Sequence, residues 1–591
     1  MASSVAKRIV IGVDFGTTFS GVAWAISTSN NSGNVELINR WSNITGVKTL
    51  SHKVPTTLRR LGNGDLQWGF LVPPDAPSNE VLRWFKLKLD DRPSVAEIVP
   101  ENIRAYSNRR TDQAIVDYLS LLMAEVMQTL TNNLGAELLK DFELKYVITV
   151  PAIWSERATQ RTKLAFQDAM DLRGSRNITV LSEPEAAAIS ELQRSKTGIV
   201  NEGECFMVLD AGGGTVDLIS YVIRQLHPLV VDEAVRGSGD VCGGATVTDR
   251  FRTWLMSKIG QLENFDDEVL RDAVDFFDES IKPRVHSALL ANNHRFFVRL
   301  PGLANNLEAG IRNEYIGVSA FDIVSFFQPS IERIKLLVAE QIAASHVPIT
   351  AIIIVGGYGQ CQYLMEELRQ DVLIQERQIQ IHQSRRAWTA VVEGAVMKGL
   401  HDMMSPEDST RIRVSNYKAR KHYGTELTVT YQDSVHAELF EKRRWDGLNG
   451  CYEVEVMDWF ITQVSQNPVG NPLACAVAYY FEKGDSVTDS KKFFKDFLVT
   501  SKVNHGKPRR IYLIIYSDET SQVAPLSKTE TVRELCAVEA DLSQIPESQI
   551  TKVQGTDGFM YFSTNGQIEI TITFTLIYNG QRYNSVTADF L

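Results

Sequence analysis

Two stretches far apart in the chain carry the same parts in the same order: Asp14-Phe15-Gly16-Thr17-Thr18 and Asp210-Ala211-Gly212-Gly213-Gly214-Thr215-Val216-Asp217. In each, an apolar run ends in a carboxylate, small residues then let backbone N–H groups approach an anion closely, and threonine hydroxyls add donors. Phosphate fits such a surface. Two of these turns facing each other can grip one polyphosphate from both sides. Asp14, Asp210 and Asp217 supply the hard oxygen ligands that Mg²⁺ accepts, usually through waters it retains. Taken alone, either turn is more often a tight hairpin; the pair is what points to phosphate. A third turn, Gly356-Gly357-Tyr358-Gly359, ends an apolar run and precedes a helical pattern, where backbone donors and the helix dipole favour a polar ligand. On its own it would be a strand-to-helix bend.

The elements that must hold these turns are visible in the pattern. Ile9 to Val13 reads as a strand, and the order strand, glycine-threonine turn, strand over Ile9 to Ile26 returns over Phe206 to Val222 as an internal repeat. Thr111 is expected to cap a helix in which Ile115, Tyr118, Leu119, Leu122, Met123, Val126, Met127 and Leu130 recur at helical spacing until Gly135. Tyr146 to Val150 is a strand closed by Pro151, followed by a helix that Ser155 caps and that runs through Ala158, Leu164, Ala165 and Ala169. Such strand-helix units define an α/β domain. Ala351 to Val355 is a further strand, feeding the third turn and the amphipathic stretch Tyr363 to Leu373, and Ala387 to Leu400 is small and apolar enough for a closely packed closing helix. Met403 to Thr410 is polar, contains Pro406 and lacks periodicity, which places a domain boundary there. Beyond it come strand signals: Leu427 to Tyr431, Ala474 to Phe481, Ile511 to Tyr516, and Gln567 to Tyr578, whose alternation is expected to turn at Asn579-Gly580 into Gln581 to Phe590. The expected division is an α/β domain over 1–402, a linker over 403–411 and a mainly β domain over 412–591.

A chain of 591 residues exceeds what one core supports, and 44% hydrophobic with 23% charged residues is ordinary for a globular protein. A net charge of -11 offers no general attraction for nucleic acid or an anionic membrane, so neither is an expected partner. The basic runs Lys418 to Lys421 and Lys507 to Arg510 read as solvated faces. Six cysteines stand singly, with no C-x-x-C and no histidine at metal-ligand spacing, which points to a reducing compartment. No signal-peptide core and no unbroken apolar span is present in the pattern, so the expected address is cytoplasmic, with nuclear residence left open.

The three turns, in this order, resemble the two phosphate motifs and the adenosine motif of the actin, hexokinase and 70-kDa heat-shock superfamily. Within it the chaperones are the nearest match: Ile11-Gly12-Val13-Asp14-Phe15-Gly16-Thr17-Thr18-Phe19-Ser20, Val150-Pro151-Ala152, Glu183-Pro184-Glu185-Ala186-Ala187-Ala188 and the glycine run from Asp210 look like their signatures. The resemblance covers about the first four hundred residues and implies an actin-like, ribonuclease H-like fold of two lobes that binds ATP or ADP with Mg²⁺. The tail resembles the substrate-binding β domain more loosely, mainly through Gln567 to Thr587. By resemblance, Gly16, Thr17, Thr18 and Phe19 with Gly212, Gly213, Gly214 and Thr215 would contact phosphates. Gly356, Gly357, Tyr358 and Gln360 would lie against the adenosine, with Glu279 and Lys282 on a helix closing over the adenine. Glu183 matches the carboxylate that positions the attacking water, working with Asp14, Asp210 and Thr17. Donors, metal and carboxylate of this kind suffice for phosphoryl chemistry, in which the protein mostly positions and neutralises. A client polypeptide, with a nucleotide exchange factor or co-chaperone, is the implied partner set.

The chain also departs from the family. The chaperones' catalytic lysine belongs shortly after Trp68-Gly69, where Phe70-Leu71-Val72-Pro73-Pro74 stands, and Lys86 and Lys88 fit that position poorly. The arginine that answers Pro151 aligns with Thr159, with Arg157 and Arg161 displaced from it, and the leucine-rich linker is replaced by polar residues around Pro406. A helical lid is missing, as in the divergent lidless branch of the family. Three functions follow: an ATPase coupled to polypeptide binding; a scaffold that holds ATP with little turnover; and a small-molecule kinase, against which the extra β region argues.

Overall fold

The computed structural model describes residues 7–27, 34–77, 79–90, 101–104, 107–173, 177–194, 201–262, 265–404, 408, 411–416, 421–446, 450–461, 493–507, 509–518, 521, 524–543, 545–554, 559–570, 574–578, 581–583 and 586–590. The chain falls into two compact units, Met1–Val414 and Ser415–Leu591.

The first unit is built on two mixed sheets of one plan. The first contains β1 (Arg8–Asp14), β2 (Phe19–Ser27), β3 (Glu36–Leu37), β4 (Glu143–Val150) and β5 (Ile178–Ser182) in the order β5-β4-β1-β2-β3, with Val54–Pro55 pairing onto the start of β2. The second contains β6 (Cys205–Ala211), β7 (Val216–Leu226), β8 (Leu229–Asp240), β9 (Ile349–Val355), β10 (Gln380–Gln383) and β11 (Ile412–Asn416) in the order β10-β9-β6-β7-β8-β11. In each, the strand that ends in a turn aspartate pairs antiparallel with the strand after the turn and parallel with a much later strand. Burial on both faces explains why β1, β6 and β9 read as continuous apolar runs rather than as alternation. The predicted repeat is thus a pair of equivalent hairpins.

The helices that fix the site are α1 (Asn108–Leu134), α2 (Glu156–Ala169), α3 (Glu183–Arg194), α4 (Gly244–Ile259), α5 (Ala320–Ala344), α6 (Gln362–Arg369) and α7 (Ala390–His401). Ser107, not Thr111, caps α1, accepting from Arg110 N; Thr111 lies a turn inside, donating its hydroxyl to Ser107 O. Both residues suit a cap chemically, and the extended backbone at Ser107 decides between them. Ser155 caps α2 as predicted, 3.1 Å from Ala158 N. The small residues of α7 serve close approach: a Cβ on Gly394 would overlap the Ala186 carbonyl of α3, and one on Gly399 would stand 2.5 Å from Val10 of β1. α3 and α7 join Val10 and Val147 of one sheet to Phe206, Val208 and Ile353 of the other in a single buried cluster, which Ile412 also enters. That shared core brings the ends of β1 and β6 together.

The described residues of the second unit form antiparallel sheets. Arg444–Asp446, β12 (His422–Thr430), β13 (Cys451–Ile461), β15 (Arg510–Asp518), β16 (Arg533–Asp541) and β20 (Val586–Phe590) make one; β14 (Phe493–Lys502), β17 (Met560–Ile570), β18 (Phe574–Tyr578) and β19 (Gln581–Tyr583) make the other, with Thr551–Gln554 beside β17. The single strand expected over Gln567 to Tyr578 is a hairpin: Ile570 pairs with Phe574 and Gln567 with Ile577. Alternation keeps its phase through the reversal, so periodicity alone could not reveal it. The strand expected over Ala474 to Phe481 and the Asn579-Gly580 turn lie outside the described residues, as do 405–407 and 409–410 of the linker. No helix among the described residues is long and apolar enough to cross a membrane.

Candidate functional site

The three glycine turns meet. Thr17 and Thr18, following β1, lie against Gly214 and Gly213, following β6; a Cβ on Gly214 would fall 2.6 Å from Thr17 Oγ1, and one on Gly213 would overlap the Thr18 hydroxyl. Gly356, at φ 86°, takes the third turn behind β6, where a Cβ would stand 2.5 Å from Asp210 Oδ1. Only hydrogen fits at these positions. The N-terminus of α4 orients the second turn, because the N–H groups of Gly243, Gly244 and Ala245 donate to the carbonyls of Gly214, Gly212 and Gly213 at 3.1, 3.1 and 2.8 Å. With those carbonyls occupied, the N–H groups of Gly213 and Gly214 have no protein acceptor among the described residues, and neither do those of Gly16 and Thr17. Successive donors left open in this way form an anion-binding surface.

Around the turns stand four buried carboxylates and two buried lysines. Asp14 pairs with Lys53 Nζ at 2.5 Å, and Glu183, the first residue of α3, with Lys86 Nζ at 2.7 Å. Asp217 accepts from Ile153 N at 3.2 Å, which ties the second turn to the segment after Pro151. Burial pushes the Glu183 carboxyl up to about 7, with Asp14 and Asp217 adding to the rise and Lys86 opposing it. Asp210 is held well above the usual carboxylate range by burial, then by Glu183, Asp217 and Asp14. Burial also raises Asp217, against the hydrogen bonds it accepts from Thr215 and Ile153. Two lysines do not balance four carboxylates, so the cluster suits a divalent cation. The Trp154 indole N–H, beneath Lys86 at 5.1 Å from ring centroid to Nζ, is buried with no protein partner among the described residues.

On the third-turn side, Lys282 Nζ bonds Asp278, Thr248 Oγ1 at 3.0 Å and Gly244 O at 3.2 Å, next to the Tyr358 side chain that packs on Gly244. The structure therefore places Lys282 beside Gly244, against which Tyr358 of the third turn packs. The Tyr358 ring is buried in the core beside Phe327, so only its backbone can face a ligand, and Gln360 is exposed. Glu279 is exposed on the π-helical turn Phe277–Ile281 and makes no hydrogen bond to the third turn among the described residues. The Phe19 ring stands edge-on to Trp388 at 5.7 Å.

Known proteins similar to this chain are named as chaperone or 70-kDa heat-shock proteins. A chaperone protein HscA homolog of Cupriavidus metallidurans is 27% identical over 43% of this chain and 38% of its own length. Heat shock 70 kDa protein 12A of Homo sapiens is 24% identical over 43% of this chain and 46% of its own. The stromal 70 kDa heat shock-related protein of Pisum sativum, chloroplastic, is 27% identical over 44% of this chain and 35% of its own. Over the matched part of its length the chain is heat-shock-70-like. It spans less than half the length of these curated relatives, and no protein-family model matches it.

In this heat-shock-70-like chain the two lysines are what motif matching missed. Nothing in the Phe70 to Pro74 segment supplies a cation; Lys86 does, from the short 3₁₀ helix Phe85–Leu89. Trp84 turns the chain with φ 60°, and Lys86 is only 1% exposed. A lysine inside the apolar run Trp84-Phe85-Lys86-Leu87 was the available signal, since a fully buried lysine needs an anion. Lys88 points elsewhere, to the carbonyls of Ile103 and Arg104. Arg161 binds Asp112 at 2.8 Å and does not face Pro151 in any described hydrogen bond. Lys53 carries no sequence signal beyond adjoining Val54-Pro55.

Proposed function

We propose that the chain binds ATP with Mg²⁺ where the three turns meet and hydrolyses it to ADP and phosphate, coupling nucleotide state to polypeptide binding by the second unit. The contact of Thr17 and Thr18 with Gly214 and Gly213 carries this proposal, because it sets two donor-rich turns from opposite sheets on one surface. In this reading the two sheets are the two lobes of an actin-like ATPase domain, whose end moves from the expected 402 to Val414 because Ile412–Asn416 pairs at the edge of the second sheet, and Ser415–Leu591 is a substrate-binding-like β domain. Gly16 to Phe19 and Gly212 to Thr215 hold the phosphates through backbone N–H groups and hydroxyls. Lys282, Gly356, Gly357 and Gln360 line the nucleoside end, with Glu279 at its rim. Asp14, Asp210 and Asp217 hold hydrated Mg²⁺, which lowers the charge opposed to an incoming nucleophile. Glu183 accepts a hydrogen bond from the attacking water, whose oxygen bonds to the terminal phosphorus as the bond to the leaving ADP oxygen breaks. Lys86 holds Glu183 in the carboxylate form and in place.

The printed words chaperone and heat shock support a chaperone-type role; a client polypeptide, an exchange factor or co-chaperone and a cytoplasmic address are proposed from the family resemblance. Titration calorimetry with ATP or ADP and Mg²⁺ tests binding: no heat with folded protein rejects the proposal. Bound nucleotide recovered after long incubation tests turnover. ADP supports an ATPase, whereas intact ATP reduces the function to nucleotide-gated binding.

A further inference from the structure

The Lys53–Asp14 pair presents a conflict that the motifs do not resolve. Asp14 is a ligand candidate for hydrated Mg²⁺, yet its Oδ2 is occupied by Lys53 Nζ at 2.5 Å. The pairing is built into the fold. Val54–Pro55 pairs with Phe19 and Ser20, Thr56 N donates to Thr18 O at 2.8 Å, and Ser20 Oγ and Thr56 Oγ1 share a hydrogen bond of 2.9 Å. The segment is therefore fastened along the first phosphate turn. Its lysine stem lies across Gly21, where a Cβ would stand 3.1 Å from Lys53 Cγ. Lys53 itself is 8% exposed, so its ammonium has little water to fall back on and requires an anion at all times. Its charge also acts on Asp210, across the site.

We propose that Lys53 is a phosphate-binding residue that exchanges partners: when a triphosphate enters, its ammonium moves from Asp14 to the terminal phosphate, and Asp14 is released to the hydrated Mg²⁺. Both ions remain paired throughout. Lysine suits the exchange because its four-carbon stem is flexible and its ammonium carries three donors. The consequence is an order of events in which metal and triphosphate are taken up together. In the free protein Lys53 competes with Mg²⁺ for Asp14; in the complex the phosphate removes that competitor.

The inference rests on the nucleotide-binding proposal, and the experiment separates the two. Calorimetry on the full chain compares wild type with Lys53→Met and the polar, near-isosteric Lys53→Gln, each checked for folding by circular dichroism, so that one variant remains if the other fails to fold. Ligands are MgATP, MgADP, adenosine and Mg²⁺ alone. Loss of a charge-assisted contact predicts MgATP binding weakened roughly ten- to hundredfold, MgADP by much less, and adenosine unchanged. Mg²⁺ without nucleotide should bind more tightly to the variants, because Asp14 is freed; that gain without a selective loss of MgATP over MgADP marks a lysine that only pairs with Asp14 and overturns the exchange. Equal losses for MgATP and adenosine, or no gain in Mg²⁺ binding, overturn the exchange while leaving nucleotide binding intact. A wild type that binds neither nucleotide overturns both.

Discussion

Replacing Lys86 by methionine isolates the role given to Glu183. The pair is buried and separated by 2.7 Å. Its gross attraction is about 6 kcal/mol at an effective dielectric constant of ~20, and removing one partner of a buried pair costs roughly 3–5 kcal/mol. At about 1.4 kcal/mol per pH unit, the lost cation lifts Glu183 by roughly two to three and a half units. The carboxyl already sits up at about 7 in the intact site. In Lys86→Met it therefore carries a proton throughout the neutral range. Single-turnover ATP cleavage from about pH 5.5 to 9.5 reads this directly: wild type should rise through about pH 7 to a plateau, while Lys86→Met should be nearly inactive at neutral pH and recover only toward the alkaline end. Folding responds differently. Taking up a proton near pH 7 costs little, so Lys86→Met should melt close to wild type there and fall further behind as pH rises. A wild-type profile flat from pH 5.5 to 8.5, or a variant whose acid limb moves by less than half a unit, refutes the assignment of Glu183 and Lys86 together.

Four further outcomes follow from the same geometry. Asp210→Asn should weaken Mg²⁺-dependent ATP binding and slow phosphate release; single-turnover hydrolysis and metal affinity equal to wild type reject its role. Because Glu183, Asp210 and Asp217 are all raised in the folded state, that state binds more protons than the unfolded chain; stability is fully present below the ordinary carboxylate range and is lost as pH climbs through about 7. The melting temperature of ligand-free protein should accordingly fall between about pH 5 and 7.5, and MgATP should flatten that slope. Gly394→Ala should destabilise the first unit by about 2 kcal/mol or more in denaturant melts, since its methyl group meets the Ala186 carbonyl. Gly357→Ala, whose nearest neighbour is Trp388 at 3.5 Å, should fold almost as wild type.

Much of the framework was legible because local chemistry and tertiary need coincide in it. The runs at Ile9 and Phe206 read as strands buried on both faces, and the aspartate-glycine-threonine endings, taken as a pair, pointed to turns with open donors. Ser155 began a helix and Gly135 ended one where capping chemistry said they would. Legibility failed where two placements satisfy the same local rule. Ser107 and Thr111 are both good caps, and an alternating segment pairs as readily with itself as with a neighbour, as Ile570 and Phe574 do.

By itself the sequence determined the hairpins, their turn chemistry and the resemblance to heat-shock-70 proteins, because these depend on residues within a few positions of one another. Only the tertiary structure decided which cations serve the site. Lys53 and Lys86 reach Asp14 and Glu183 from segments that share no motif with them, brought there by the pairing of Val54–Pro55 with β2 and by the packing of the Phe85–Leu89 turn. Electrostatic pairing in a buried site depends on distance in space, and local sequence rules carry no information about it.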